Sequence, residues 1–106
     1  MRAEVKERDI MKKWIEKERV RGGKVWVHRI VDSPYGGYKV FDVELVRDGV
    51  PWALEFKVHR KKTLPYSFSD ISSHQIFELK KFKDAGGRSA IVVYDEGLKK
   101  FFFWEL

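Results

Sequence analysis

The chain has 106 residues, 43% hydrophobic and 15% aromatic, which suits one domain with a real core spanning 1–106. It has no cysteine and only three scattered histidines, which excludes disulfides and thiolate metal sites and leaves a hard, oxygen-bound ion as the metal to consider. No apolar run has the length of a membrane span and no signal peptide is visible, so a cytoplasmic protein without a membrane partner is expected; the net charge of +6 favours a polyanion such as nucleic acid.

Residues 3–19 predict an amphipathic helix whose apolar stripe is Ile10, Met11 and Trp14, ended by Gly22-Gly23. Glu7 lies one turn and two turns before those residues, on the same stripe. Residues 24–31 alternate as a first strand, and 32–38, with Pro34, Gly36 and Gly37, form a loop. Residues 39–46 and 51–58 read as second and third strands around Asp48-Gly49. Residues 59–69 are basic, then irregular. A second helix is expected from Ser69 or Asp70 to Gly86-Gly87, with Gln75 on the apolar face made by Ile71, Leu79 and Phe82. Residues 89–95 and 99–106 are closing strands joined near Glu96-Gly97. The order α-β-β-β-α-β-β is that of an α/β sandwich.

Asp48-Gly49 between alternating strands is a two-residue hairpin signal. Arg47 then faces Val50, and Asp42 falls opposite Glu55 in a non-hydrogen-bonded pair, where Cα atoms approach to roughly 4.5 Å. Like charges facing each other destabilise a sheet, and a divalent cation between them is the simplest reason for two carboxylates there. Lys57 shares the face of Glu55; Leu54, Phe56 and Val58 take the other, so one face is expected to pack the core and the other to hold a metal-dependent site. A second reading makes Asp42 and Glu55 solvent-facing hairpin positions balanced by Lys57. Likewise Glu7 and Gln75 read either as inward polar residues of a site, or as a stripe-edge residue and a backbone cap.

Asp42 followed by Glu55-Phe56-Lys57 resembles the signature of the PD-(D/E)xK nucleases, with Phe41 where the signature has proline. The stretch 61–93, with its Lys/Thr-rich start, its glutamine-bearing helix and its Gly86-Gly87 before an apolar strand, resembles Holliday-junction resolvases of the bacterial RecU and archaeal Hjc types. Residues 6–15 resemble their first helix, with Glu7 as its acidic residue, and Ser33 resembles a loop serine of the archaeal enzymes. The resemblance implies a single-domain, restriction-endonuclease-like αβββαβ(β) core with a mixed sheet flanked by helices. It implies Mg²⁺, with Mn²⁺ as a substitute, held by Asp42, Glu55 and the Phe56 carbonyl, with Glu7 as a further candidate. Lys57 would activate the attacking water, and Gln75 would position that water or the lysine. Ser33, His59, Arg60, Lys61 and Lys62 are the expected DNA contacts, the last four as a basic cluster leaving the catalytic strand.

The implied activity is Mg²⁺-dependent, structure-selective DNA cleavage in recombination and repair, with four-way junctions as the leading substrate. A small nuclease of the VRR type acting on flaps or forks, and a non-catalytic basic DNA-binding module, are the alternatives. A two-fold homodimer is expected, because two opposed cuts need two sites and each chain offers one. Phe101 and Phe103 on one face of the last strand, Phe102 and Trp104 on the other, and the segment Leu64-Pro65-Tyr66 are the candidate interface.

Overall fold

The computed structural model describes residues 6–31, 39–60 and 71–106. Their elements are α1 (Glu7–Val20), β1 (Val25–Arg29), β2 (Val43–Arg47), β3 (Val50–His59), α2 (Ser73–Asp84), β4 (Arg88–Asp95) and β5 (Lys100–Glu105). The five strands form one sheet in the order β1-β2-β3-β4-β5. Only β3 and β4 run parallel, and α2 lies in the crossover that a parallel pair requires. The mixed sheet flanked by helices is thus the expected α/β architecture. No helix among the described residues is long and apolar enough to cross a membrane.

Each face of the sheet carries one helix. Met11 and Ile15 of α1 pack on Val43, Leu45, Leu54, Phe56, Ala90 and Val92. Leu79 of α2 packs with Ile71 on Phe41, Ala53, Ile91 and Val93. Alternate residues of β3 and β4 therefore enter opposite cores, and both strands read as nearly unbroken apolar runs because both faces are covered. The expected division into a core face and a site face is corrected here. The face of Glu55 also packs a core, around Ala53, and the site occupies only its end.

The β2–β3 hairpin has the expected register, from Arg47 opposite Val50 to Val43 opposite Leu54. Asp48 and Gly49 take φ of 49° and 82°, the paired left-handed conformations of the tight turn that suits strand twist. Asp48 also pins the start of β1: its N–H donates to the Lys24 carbonyl, and its carboxylate accepts the Lys24 N–H, both at 2.8 Å.

Two element boundaries differ from the sequence reading. Strand β2 begins at Val43, not at 39. The Asp42 N–H donates to the Leu54 carbonyl at 3.1 Å, so Asp42 and Val43 both address Leu54 as in a β-bulge, and the ladder to β3 stops. Helix α2 begins at Ser73. Its cap is Ser72, whose hydroxyl accepts the Gln75 N–H while the Gln75 side chain accepts the Ser72 N–H. Ser69 and Asp70 lie outside the described residues.

Arg47, the last residue of β2, ties α1 to the sheet. Its guanidinium donates to the Glu18 carbonyl at 2.5 Å and the Gly22 carbonyl at 2.6 Å, and lies 2.6 Å from the Glu18 carboxylate. It thus caps the carbonyl end of the helix, where cations are favoured. Arg47→Met is expected to destabilise the fold by about 1–3 kcal/mol, since the half-buried Glu18 loses a partner. Arg47→Lys should recover only part of this, because one ammonium cannot replace a fork of donors. Urea denaturation of the three proteins measures both.

Candidate active site

The site begins where β2 parts from β3. Strand β3 runs on to His59, five residues beyond its last pairing with β2. Its N–H groups facing the departed strand need new acceptors. The Asp42 carboxylate supplies one: Oδ2 accepts the Phe56 N–H at 2.8 Å. The backbone of Asp42 stays paired to β1, accepting the Ile30 N–H at 2.9 Å. Asp42 is 1% exposed, and its Oδ1 faces the Lys39 ammonium at 2.8 Å.

Glu55 is 2% exposed, and its carboxyl lies in the field of the Asp42 carboxylate. Its Oε1 accepts Nε2 of Gln75 at 2.9 Å. The other end of that amide accepts the Ser72 N–H at 2.9 Å. Gln75 therefore does both things the sequence allows. It caps α2, and through the cap its amide is held on Glu55. Lys57 Nζ lies 3.9 Å from Glu55 Oε1, at the outer end of the same strand face.

Burial is the first cause that pushes the Glu55 carboxyl up, to about 8, followed by the Asp42 charge; Lys57 opposes the rise and Glu7 adds to it. Glu7 belongs to the same field. Its carboxyl is raised by burial first and by Asp42 second, against Lys57, Lys39 and Arg60. As a whole, however, Glu7 is exposed, at the first position of α1. The inward placement expected from the stripe is corrected: Glu7 stands exposed at the first turn, as the stripe-edge reading allows, and its carboxyl feels the charges of the cluster. Ile10, Met11 and Ile15 are the helix residues that enter the core.

The expected DNA contacts divide. His59 is 8% exposed and its carbonyl accepts the Glu96 N–H, so it ends the strand inside the protein instead of joining a surface cluster. Arg60 is exposed, 3.7 Å from the Glu96 carboxylate. Ser33, Lys61 and Lys62 lie outside the described residues. Two contributors were not singled out from sequence. Ser72 carried a signal, since Ser72-x-x-Gln75 is a capping-box pattern. Lys39 carried none, because it falls in a stretch that alternates like a strand.

Among the described residues, no three His, Asp or Glu side chains come close enough together to hold a metal. Two carboxylates nevertheless suit Mg²⁺, which keeps several waters and takes the rest of its ligands from substrate phosphate. The donors are all oxygen, and one of them, Asp42 Oδ1, already carries a cation in the Lys39 ammonium. The residues fit a small, hard divalent ion.

The Glu55 shift gives a pH dependence with a definite sign. Below the ordinary value of 4.5 the group is protonated both folded and unfolded. Between 4.5 and about 8 the unfolded chain releases its proton first, so the stability contributed by the protonated group is lost as pH rises and levels off above about 8. The loss is on the order of a few kcal/mol. Glu55→Gln keeps the bond to Gln75 without a charge to bury. In chelator, it should match the wild type at pH 4 and exceed it in stability at pH 8, as read by urea denaturation across the range.

No family profile matches the chain, and neither does any curated protein. Among solved structures, the chain is similar to Hjc of Archaeoglobus fulgidus, a Holliday junction resolvase from an archaeal hyperthermophile. The TM-score is 0.62 at 19% identity, over 90% of this chain and 72% of that one. The resemblance to Hjc expected from sequence is thereby shown at the level of the fold.

Proposed function

We propose that the protein is a Mg²⁺-dependent, structure-selective endonuclease that hydrolyses phosphodiester bonds in branched DNA, with the four-way junction as its leading substrate. The observation that carries the reading is the burial of two carboxyl groups, Asp42 and Glu55, the second bonded to Gln75 and 3.9 Å from Lys57, in a fold like that of a junction resolvase. Asp42 and Glu55 would hold the ion, with the Phe56 carbonyl and Glu7 as further ligands. When bound, that ion supplies Lewis-acid activation and charge neutralisation at phosphorus.

The chain's own groups have separable tasks. Lys57 extends from a strand held in the sheet opposite Val93, and its ammonium would stabilise the charge that develops on the phosphate oxygens. Gln75 fixes the Glu55 carboxylate, and the capping box fixes Gln75. Arg60, with Lys61 and Lys62, would hold flanking phosphates, and Ser33 would add a loop contact.

Two opposed cuts need two sites, and a two-fold homodimer supplies them in matching orientation. The edge strand β5 favours it. Phe102, Phe103 and Trp104 are 37%, 46% and 37% exposed on a strand with one neighbour, an arrangement that invites a partner. Leu64-Pro65-Tyr66, also expected at the interface, lies outside the described residues.

Cleavage of labelled four-way junction, flap, fork and linear duplex in Mg²⁺ tests the reading. The wild type should nick the junction fastest. Asp42→Ala should abolish nicking while DNA binding survives, and Lys57→Ala should slow single-turnover cleavage by at least about 10²-fold. A preference for flaps or forks would shift the substrate class, and binding without any cleavage would leave a non-catalytic module. Binding should weaken steeply with salt, and neutralising Arg60, Lys61 and Lys62 together should flatten the slope of log K against log salt. An unchanged slope would place the DNA groove elsewhere.

A further inference from the structure

Both oxygens of Asp42 are engaged, and the two partners differ in kind. Oδ2 is tied to a backbone N–H of the central strand, at 2.8 Å. Oδ1, the oxygen left to ligate an ion, is taken by the Lys39 ammonium, also at 2.8 Å. An ion bound to Oδ1 would sit about 2.0–2.1 Å from it. An ammonium touching the same oxygen would then lie within a few ångströms of a doubly charged cation, a repulsive arrangement that excludes joint occupancy.

We infer that Lys39 is an internal stand-in for the divalent ion: its ammonium occupies Asp42 in the metal-free protein, must leave when the ion arrives, and so sets the affinity for the ion. The inference rests on the metal-site reading proposed above.

The surroundings fit a displaceable cation. Lys39 precedes the bulge at Asp42 and lies outside the sheet ladder, and its side chain is 29% exposed. Asp42, by contrast, is 1% exposed and held through its own N–H and C=O to Leu54 and Ile30. The ammonium can therefore withdraw while the carboxylate stays. The Glu7 carboxyl already feels the Lys39 charge, which gives a displaced ammonium a second carboxylate in its field. Lys57 differs on each count: it is fixed in β3 and stands off Glu55 at 3.9 Å. The two lysines of the site thus have opposite behaviour, one staying for the reaction and one yielding to the ion.

Two readouts test this without cleavage. Calorimetric titration with Mn²⁺ should give roughly tenfold tighter binding for Lys39→Met than for the wild type, about 1.4 kcal/mol. Lys39→Arg, which keeps the competing charge, should bind no tighter than the wild type. Separately, the rate at which an amine-acylating reagent modifies Lys39, read by peptide mass spectrometry, should rise several-fold on saturation with Mn²⁺, while the rate at surface lysines such as Lys12 stays level. Unchanged or weaker affinity in Lys39→Met, or a Lys39 reactivity indifferent to Mn²⁺, overturns the inference while the metal site stands. A wild type that takes up no Mn²⁺, or an Asp42→Asn variant that binds it equally well, overturns the metal-site reading and the inference with it.

Discussion

Two buried carboxyl groups in each other's field are the constraint around which the rest of this structure is arranged. Asp42 and Glu55 are 1% and 2% exposed, and the Asp42 charge acts on the Glu55 carboxyl. Left alone, the pair would favour separation or protonation, because desolvation and like charge act in the same direction. Each compensating group is identifiable. Lys39 neutralises Asp42, the Phe56 N–H holds it, Gln75 holds Glu55, and Lys57 offsets part of the charge. The arrangement leaves Asp42 with a demand for a cation, met in this structure by the Lys39 ammonium; under the proposed function a divalent ion would take its place.

The fold serves that constraint. The Asp48-Gly49 turn fixes the register that brings β2 and β3 together, and the bulge at Asp42 parts them where the carboxyl groups need room. The parallel pairing of β3 with β4 places β3 in the middle of the sheet, with α1 on one face and α2 on the other. Each helix delivers one polar group from its first turn, Glu7 from α1 and Gln75 from α2. Helix ends suit this work, because their backbone groups and adjacent side chains are not consumed by the core. Stability is spent at the site and recovered in the two apolar layers beneath it.

How much of this was legible in the sequence depends on the range of the interaction. The hairpin register was, because a two-residue turn and strict alternation leave one solution. The expected pairing of Asp42 with Glu55 was not formed: the ladder ends at Val43 opposite Leu54, and the bulge turns the Asp42 N–H to the Leu54 carbonyl as well. The second helix and its glutamine were legible as a stripe, yet both readings of Gln75 hold together, since an amide has two ends. Periodicity failed at boundaries. Lys39 to Asp42 alternates like a strand, but the bulge that ends β2 depends on which carbonyl the Asp42 N–H finds. Basic composition suggested a surface place for His59, whereas its pairing beside Asp95 in the parallel ladder buries it. Lys39 was silent because an ion pair between a loop and a bulge leaves no periodic trace. The last strand read as two-faced, which its place at the sheet edge explains: with one neighbouring strand, Phe102 and Trp104 stay exposed on one side and Phe103 on the other.

The most direct test of the central constraint is to titrate Glu55 itself, following its side-chain carboxyl carbon by NMR in metal-free protein and again in saturating Mg²⁺. Burial beside the Asp42 charge predicts a midpoint near 8 without the ion. With Mg²⁺ bound, the midpoint should move below about 6, because a cation at the carboxylate favours its charged form. A midpoint near 4.5 without metal, or one that ignores Mg²⁺, would mean that the buried carboxyl groups do not make a cation site, and the account would fail at its root.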